Sequence, residues 1–105
     1  MRLRATLAQV FLTRRSGTVE ARLVLERESG ARERETLTLP VTEVAAAAAL
    51  LGRVLARRDE LESVAQCRVR VARAGELVDD AEARDRLRKA FAAERARQDQ
   101  QDPAA

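Results

Sequence analysis

The chain has 105 residues and a formal net charge of +3 at pH 7, and it contains no His, Tyr or Trp and a single Cys. A chain of this length is expected to build one domain around one core. Of the residue types that carry out acid/base and nucleophilic catalysis, only the carboxylates remain in number, and zinc needs ligands that the chain does not have. The composition therefore argues against an enzyme, and we expect neither a cofactor nor a metal.

The cysteine content and the apolar segments indicate where the protein resides. One cysteine, Cys67, cannot form an internal disulfide framework, which fits a reducing compartment. The amino-terminal residues lack an apolar stretch of signal-peptide length, and no window reaches the roughly 18 apolar residues of a membrane span. We therefore expect a cytoplasmic protein that does not contact membranes.

Two Ser-Gly pairs indicate two hairpin turns. Ser16-Gly17 and Ser29-Gly30 each lie between segments that are rich in Val, Leu and Thr, as is typical of strands joined by tight turns. Between the two turns, apolar residues recur at every second position, at Val19, Ala21, Leu23 and Leu25. This period predicts a strand with one buried face.

The charges around the second turn predict the register of its hairpin. A loop of Ser29, Gly30 and Ala31 would place opposite charges, and also apolar residues, across from one another. The facing pairs would be Glu28 with Arg32, Arg27 with Glu33, Glu26 with Arg34, and Leu23 with Leu37. We therefore interpret this charge run as hairpin stabilisation first and as a binding patch second.

The opening segment, residues 2–15, fits two kinds of element. Its apolar residues have a partly helical spacing, whereas Thr6, Val10, Phe11 and Thr13 favour a strand. The Ser-Gly pair that follows resembles the second turn, so we favour a strand, with a helix as the alternative.

A first helix is predicted over residues 43–58. Pro40 ends the third strand, and the side-chain oxygen of Thr42 is suited to cap the helix. The inward stripe would consist of Val44, Ala47, Ala48, Leu51 and Leu55. Gly52 costs up to about 1 kcal/mol relative to Ala in a helix interior. It therefore indicates a close approach, either onto the sheet, which we favour, or against a second copy.

The second half of the chain predicts a fourth strand and a second helix. Residues 67–72 alternate in the manner of a strand, and Asp79 or Asp80 can cap a helix over residues 81–97.

The expected fold class is α+β, with a four-stranded, mostly antiparallel sheet and two helices on one face. The order is βββαβα, or αββαβα if the opening segment is helical. Residues 1–97 would form the single domain and residues 98–105 a disordered tail.

Basic residues exceed acidic ones in residues 1–16 and 64–78. If the first and fourth strands lie close together, four side chains would line one exposed sheet face as candidate phosphate-binding residues: Arg2, Arg4, Arg68 and Arg70. The sheet lacks Tyr and Trp, on which bases usually stack. Sequence-tolerant contact with a nucleic-acid backbone is therefore the expected mode of binding.

An acidic group at the start of the second helix has the ligand type that Mg²⁺ prefers, at Asp79, Asp80, Glu82 and Asp85. Acids in the first turn of a helix are, however, expected from the helix dipole alone. We therefore interpret these residues as helix caps and Cys67 as a small core residue.

Residues 19–79 resemble the little-finger domain by which Y-family polymerases contact DNA. The resemblance lies in LVLERESGARERETLTLP followed by the helix and CRVRVARAGELVD, and it rests on the order of elements and on hairpin composition. It implies a contact with nucleic acid, while the catalytic domains of such a polymerase have no counterpart in this chain.

The sequence thus predicts a non-catalytic interaction module. The favoured partner is another protein or a second copy of the chain, bound through an open sheet face or an edge strand. Binding of a nucleic-acid backbone through the four arginines is the alternative.

Overall fold

The computed structural model describes residues 3–100, which form six strands and two helices in the order βββαβββα. The elements are β1 (Ala5–Arg15), β2 (Thr18–Arg27), β3 (Arg32–Leu39), α1 (Val44–Ala56), β4 (Leu61–Ser63), β5 (Arg68–Arg73), β6 (Glu76–Asp79) and α2 (Ala81–Gln100). The strands lie in the order β3, β2, β1, β5, β6, and β4 also pairs with β1. The α+β class and the two helices are confirmed. The predicted four-stranded sheet and the order βββαβα match only in part, because the sheet has six strands and contains two parallel pairs beside three antiparallel ones.

The sheet is mixed because α1 reverses the direction of the chain. Two hairpins make β3 run parallel to β1, and α1 then returns the chain to the end at which β3 began. The next strands therefore run parallel to β1, which pairs with both β4 and β5. Only β6 restores an antiparallel pair, with β5.

The opening segment is a strand, as predicted. Residues 5–15 pair with β2 along their whole length, and a two-residue loop of Ser16 and Gly17 joins Arg15 to Thr18. Gly17 has a φ of 74°, a conformation that glycine adopts without steric cost.

The second hairpin has a three-residue loop, as predicted, but its register differs. Glu26 lies opposite Arg32, Leu25 opposite Glu33 and Ala21 opposite Leu37. The four predicted facing pairs are therefore wrong: Glu28 with Arg32, Arg27 with Glu33, Glu26 with Arg34, and Leu23 with Leu37. The loop consists of residues 28–30, closed by hydrogen bonds between Arg27 and Ala31 and between Gly30 and Arg27. Gly30, with a φ of 90°, fills the left-handed last position that such loops require.

Two short strands, β4 and β6, are absent from the predicted elements. β4 has three residues within an acidic stretch, and β6 follows a turn whose first residue is an unusual one. That turn consists of Ala74 and Gly75, with φ values of 51° and 83°, as in a type I′ turn. Alanine in a left-handed conformation costs roughly 1 kcal/mol or more, so this turn carries local strain.

We expect Ala74→Asn to raise the free energy of unfolding by about 0.5–1 kcal/mol. Asn tolerates the left-handed conformation and precedes Gly in the favoured type I′ turns. Urea denaturation of both proteins measures the change. The matched control is Ala31→Asn, beside the other turn at a residue without a positive φ. An equal response at the two positions would show that Ala74 carries no strain.

Both helices pack on one face of the sheet. The predicted stripe of α1 is buried at Ala47, Ala48, Leu51 and Leu55, and α2 buries Ala83, Leu87, Phe91 and Glu94. The predicted strand pattern is likewise confirmed, because Val19, Ala21, Leu23 and Leu25 are all buried. Neither helix combines the length and the apolar character needed to cross a membrane.

Gly52 marks the contact between the two helices and not a contact with the sheet, so the favoured interpretation is wrong. A Cβ atom at this position would overlap the carbonyl oxygen of Leu87 and would lie 3.0 Å from the Cβ of Ala90 and 3.0 Å from the backbone nitrogen of Phe91. The missing side chain therefore lets the backbones of α1 and α2 approach closely.

The predicted cap of α2 is confirmed, whereas the start of α1 and the end of α2 differ from the prediction. The N-cap of α1 is Glu43, without a side-chain cap hydrogen bond, so Thr42 lies one residue too early to cap the helix. Asp80 caps α2, accepting the Ala83 N–H at 2.9 Å. Residues 98–100, predicted as part of a disordered tail, belong to α2, and residues 101–105 lie outside the described residues.

A network of ion pairs joins the β2–β3 hairpin to the end of α1. Arg58 donates hydrogen bonds of 2.7 and 2.8 Å to the carboxylate of Glu35 and also contacts the carboxylate of Glu60. Arg27 bonds Glu33 at 2.6 Å and lies 3.8 Å from Glu60. The Glu60 side chain is only 5 % exposed, so the two arginines balance a buried charge.

The network makes stability depend on acid. Hydrogen bonds from Arg58 lower the pKa of Glu35 below its ordinary value. As the pH falls through that ordinary value, the unfolded chain therefore binds more protons than the folded protein. The contribution of this pair is therefore present at neutral pH and is lost on acidification. Urea denaturation between about pH 7 and pH 3 should show a smaller loss for Glu35→Gln than for the parent. Equal losses would contradict the assignment.

Candidate binding face on the open side of the sheet

The side of the sheet opposite the helices, which we call the open face, carries a group of arginines around one aromatic ring. A β-bulge between Leu7 and Gln9 shifts the alternation of β1 by one residue, so that Leu7 and Val10 are both buried. A regular strand would place Phe11 on the same side as Leu7. The bulge therefore turns Phe11 to the open face.

Phe11 lies between two arginines of the neighbouring strands. Its partners are Arg22 on β2 and Arg70 on β5. The guanidinium carbon of Arg22 lies 5.4 Å from the centroid of the ring, within the range of a cation–π contact. Arg22 therefore covers a ring face that would otherwise be free for stacking.

Arg22, Phe11 and Arg70 form one row across the open face, and a second row lies beside it. Gln9 lies between Val24 on β2 and Arg68 on β5, and Val24 lies opposite Arg34 on β3. Residues that face each other across strands share one side of a sheet. Four arginines therefore surround the positions of Gln9 and Phe11: Arg22, Arg34, Arg68 and Arg70.

The open face contains a trough of about 440 Å³ that combines apolar and cationic side chains. Its apolar lining includes Phe11 and Val24, which are half-buried, and Leu77 of β6, which is 43 % exposed. Arg22 and Arg34 also line it, and both are exposed. Glu35 also lines the trough, with its carboxylate bonded to Arg58, so the trough offers an apolar surface bordered mainly by guanidinium groups.

The arginines of the open face differ in how far they are neutralised. Arg68 and Arg70 share one carboxylate, that of Asp79, at 3.5 and 3.4 Å. Arg22 and Arg34, by contrast, form no ion pair with a carboxylate of residues 3–100. The positive charge on this face therefore exceeds the negative charge and is available to an anionic ligand.

The pKa of Asp79 reflects this excess. Partial desolvation raises the pKa of its carboxyl group, but the charges and hydrogen bonds of Arg68 and Arg70 outweigh that effect, so the pKa lies below its ordinary value. Asp79 therefore remains an anion between two cations.

The structure brings together only part of the predicted arginine set. Arg68 and Arg70 share the open face, because β1 and β5 are neighbours as the prediction required. Arg4 lies about 16 Å along the strand from the point where β1 meets Arg68, and it pairs with Glu62 at 2.7 Å. Arg4 therefore does not join the cluster, and Arg2 lies outside the described residues.

Arg22, Arg34 and Phe11 belong to this face but are not among the predicted site residues. Arg34 lies in the charge run that is interpreted from the sequence as hairpin stabilisation, and Arg22 lies on the polar side of the strand between the two turns. Phe11 reaches the open face only through the bulge, and the central position of β1 is what brings β2 and β5 to its two sides. The odd spacing of Leu7 and Val10 is the one sequence signal that could have indicated the bulge.

The acidic group at α2 is occupied by protein contacts. Asp80 caps the helix and also pairs with Arg73 at 2.8 Å, while Glu82 pairs with Arg86. Among residues 3–100, no three side chains of the metal-ligating types are placed to hold an ion together. Cys67 is buried in the core, and desolvation raises the pKa of its thiol.

Comparison with known proteins adds no functional information. No family model, no curated protein and no solved structure matches the chain. The resemblance of residues 19–79 to a polymerase domain therefore gains no support, and the functional argument depends on the open face itself.

Proposed function

We propose that the chain is a non-catalytic interaction module whose open face binds an acidic, extended segment of a partner protein. The observation that carries this proposal is the pair Arg22 and Arg34, two arginines without a carboxylate partner in the described part of the chain, beside a partly apolar trough. Guanidinium groups bind carboxylates through charge-assisted, often bidentate hydrogen bonds. Apolar side chains of the same segment would contact Phe11 and Val24.

The spacing of the open face supports an extended ligand. Residues two apart on one strand, such as Arg68 and Arg70, repeat at about 6.6 Å. Side chains on one side of an extended peptide repeat at the same distance. Acidic residues at alternate positions of such a segment would therefore match neighbouring arginines of the face.

Two observations support a non-catalytic role. The chain contains no His, and its one thiol, that of Cys67, is buried. The open face of the described residues therefore offers neither an imidazole nor a thiol to an incoming ligand.

Binding of a nucleic-acid backbone is the second candidate, and Arg68 and Arg70 favour it because they are adjacent on the open face. Their charge is, however, partly neutralised by Asp79. Phe11 is the one aromatic residue on this face, and Arg22 already covers it. Proteins that bind single strands usually stack bases on free aromatic rings, so we favour the acidic protein segment.

Fluorescence anisotropy with two labelled probes tests the proposal. One probe is a short peptide in which Glu alternates with Leu, and the other is an oligothymidine of equal charge. The double variant Arg22→Gln/Arg34→Gln should weaken peptide binding about tenfold or more. The control Arg14→Gln/Arg53→Gln removes the same charge from exposed positions outside the trough and should have little effect.

Three results would contradict the proposal. The peptide could fail to bind, the two double variants could weaken it equally, or the oligonucleotide could bind more tightly than the peptide. The last result, with a steep loss between about 50 and 200 mM salt, would favour the nucleic-acid backbone.

A further inference from the structure

β3 is an edge strand whose two halves differ in charge. Within the described residues it pairs only with β2. Its first half, residues 32–35, is fully charged, and its second half, residues 36–39, reads Thr-Leu-Thr-Leu before Pro40. Charged side chains protect sheet edges against pairing with other strands. The second half of this edge lacks that protection.

Two apolar side chains, Leu50 and Val54, lie on the flank of α1 above this edge. Gly52 faces α2, and Leu50 and Val54 each lie two positions from it, or about 160° around the helix. They therefore lie on the flank that faces away from α2, on the side where Arg58 reaches Glu35 of β3. Val54 is 39 % exposed, and Leu50 is only partly buried.

We propose that two copies of the chain pair antiparallel through residues 35–39 of β3, about a two-fold axis at Leu37. This contact uses the sheet edge and the flank of α1, so it does not depend on the ligand of the open face. The paired edges would form one continuous sheet of two copies. The α1 flanks, with Leu50 and Val54, would face each other across the axis.

The repulsion between like charges argues against registers centred on the charged half of β3. An axis at Arg34 or at Glu35 would place that residue opposite its own copy, and like charges that face each other across strands are destabilising. An axis at Leu37 places Leu37 opposite itself and Thr36 opposite Thr38, which are favourable cross-strand pairs, and it places Glu35 opposite Leu39, so that no two like charges face each other. Pro40 has no N–H to donate to a strand ladder, so the pairing ends at Leu39.

The uncharged half of β3 is suited to pair with the same strand of a second copy of this chain. A symmetric pair requires each half of the contact to be its own complement, and the uncharged residues 36–39 with the half-buried Leu37 meet that condition. A strand from another protein is the competing occupant, and it would leave this chain monomeric on its own.

Disulfide trapping and light scattering test the proposal. Both cysteine variants carry Cys67→Ala. Leu37→Cys places its thiol at the axis, whereas Arg34→Cys lies at a more exposed position of the same strand, about 20 Å from its copy in the proposed register. Under a mild oxidant we expect Leu37→Cys to cross-link at least about tenfold faster. Light scattering of the parent should show a dimer as its concentration rises.

Val54→Lys serves as the second variant, because its side chain is exposed and the fold should persist. It should shift the monomer–dimer midpoint to at least about tenfold higher concentration, while circular dichroism stays unchanged. Cross-linking of Leu37→Cys no faster than that of Arg34→Cys would overturn the proposal. The proposal would also be overturned if the parent protein remained monomeric at every concentration. A strand of another protein would then be the favoured partner of this edge.

Discussion

Gly52→Ala is expected to lower the free energy of unfolding by about 2 kcal/mol, although Ala is the better helix former. The gain in helix propensity is about 1 kcal/mol. Against it, the new Cβ would overlap the carbonyl oxygen of Leu87 and would press on Ala90 and Phe91. Backbone atoms cannot rotate away, so α1 and α2 would have to separate, and overpacking of this kind costs about 1–3 kcal/mol or more.

Urea denaturation of the parent and the variant measures this loss. Ala46→Gly is the matched control, since Ala46 is exposed on the same helix, and it should lose about 1 kcal/mol through propensity alone. If Gly52→Ala were instead more stable than the parent, the helices would be free to part and the close approach would not contribute to the fold.

Gly52 also illustrates what a sequence can and cannot predict. A glycine inside an apolar helical stripe indicates a close approach, and that much is confirmed. The identity of the other element depends on how α1 and α2 lie across the sheet, which no local pattern specifies. The sheet was the favoured partner, yet the backbone that approaches Gly52 is that of α2.

The second hairpin shows the same limit for strands. Alternation fixes which residues face the core, and the predicted and observed registers agree on that, because they differ by an even number of residues. The exact pairing is set by the turn, in which Gly30 must occupy the left-handed position. The ion pair between Arg27 and Glu33 still forms at 2.6 Å, as a diagonal contact, so the charge pattern alone did not distinguish the two registers.

Predicting the residues of the open face required the strand order and the position of the bulge, which no local sequence pattern specifies. The nearness of the first and fourth predicted strands is only a condition of the prediction; β1 and β5 meet that condition, and their pairing places Arg68 and Arg70 on one face. The contribution of Arg22 required both the central position of β1 and the bulge that turns Phe11 outward. Short strands such as β4 and β6 are defined by their neighbours and leave little periodic signal.

Arg58→Met should lower the free energy of unfolding by about 3 kcal/mol at neutral pH, a loss typical of removing one partner from a buried ion pair. Methionine keeps the apolar stem, so packing changes little. The carboxylate of Glu60, which is only 5 % exposed, would keep only Arg27, at 3.8 Å, as an arginine within ion-pair distance among the described residues. Glu35 would lose both of its hydrogen bonds from Arg58.

Urea denaturation with two further variants separates this explanation from a general effect of losing an arginine. Arg53→Met changes an exposed residue of the same helix and should alter stability by no more than about 0.5 kcal/mol. Arg58→Met/Glu60→Gln should recover part of the loss, because it removes a buried charge that no longer receives the hydrogen bond from Arg58. The deficit of Arg58→Met should also shrink below about pH 4, where the carboxylates become protonated. A loss of stability that is independent of pH and no larger than that of Arg53→Met would show that the network stabilises the fold no more than ordinary surface ion pairs do.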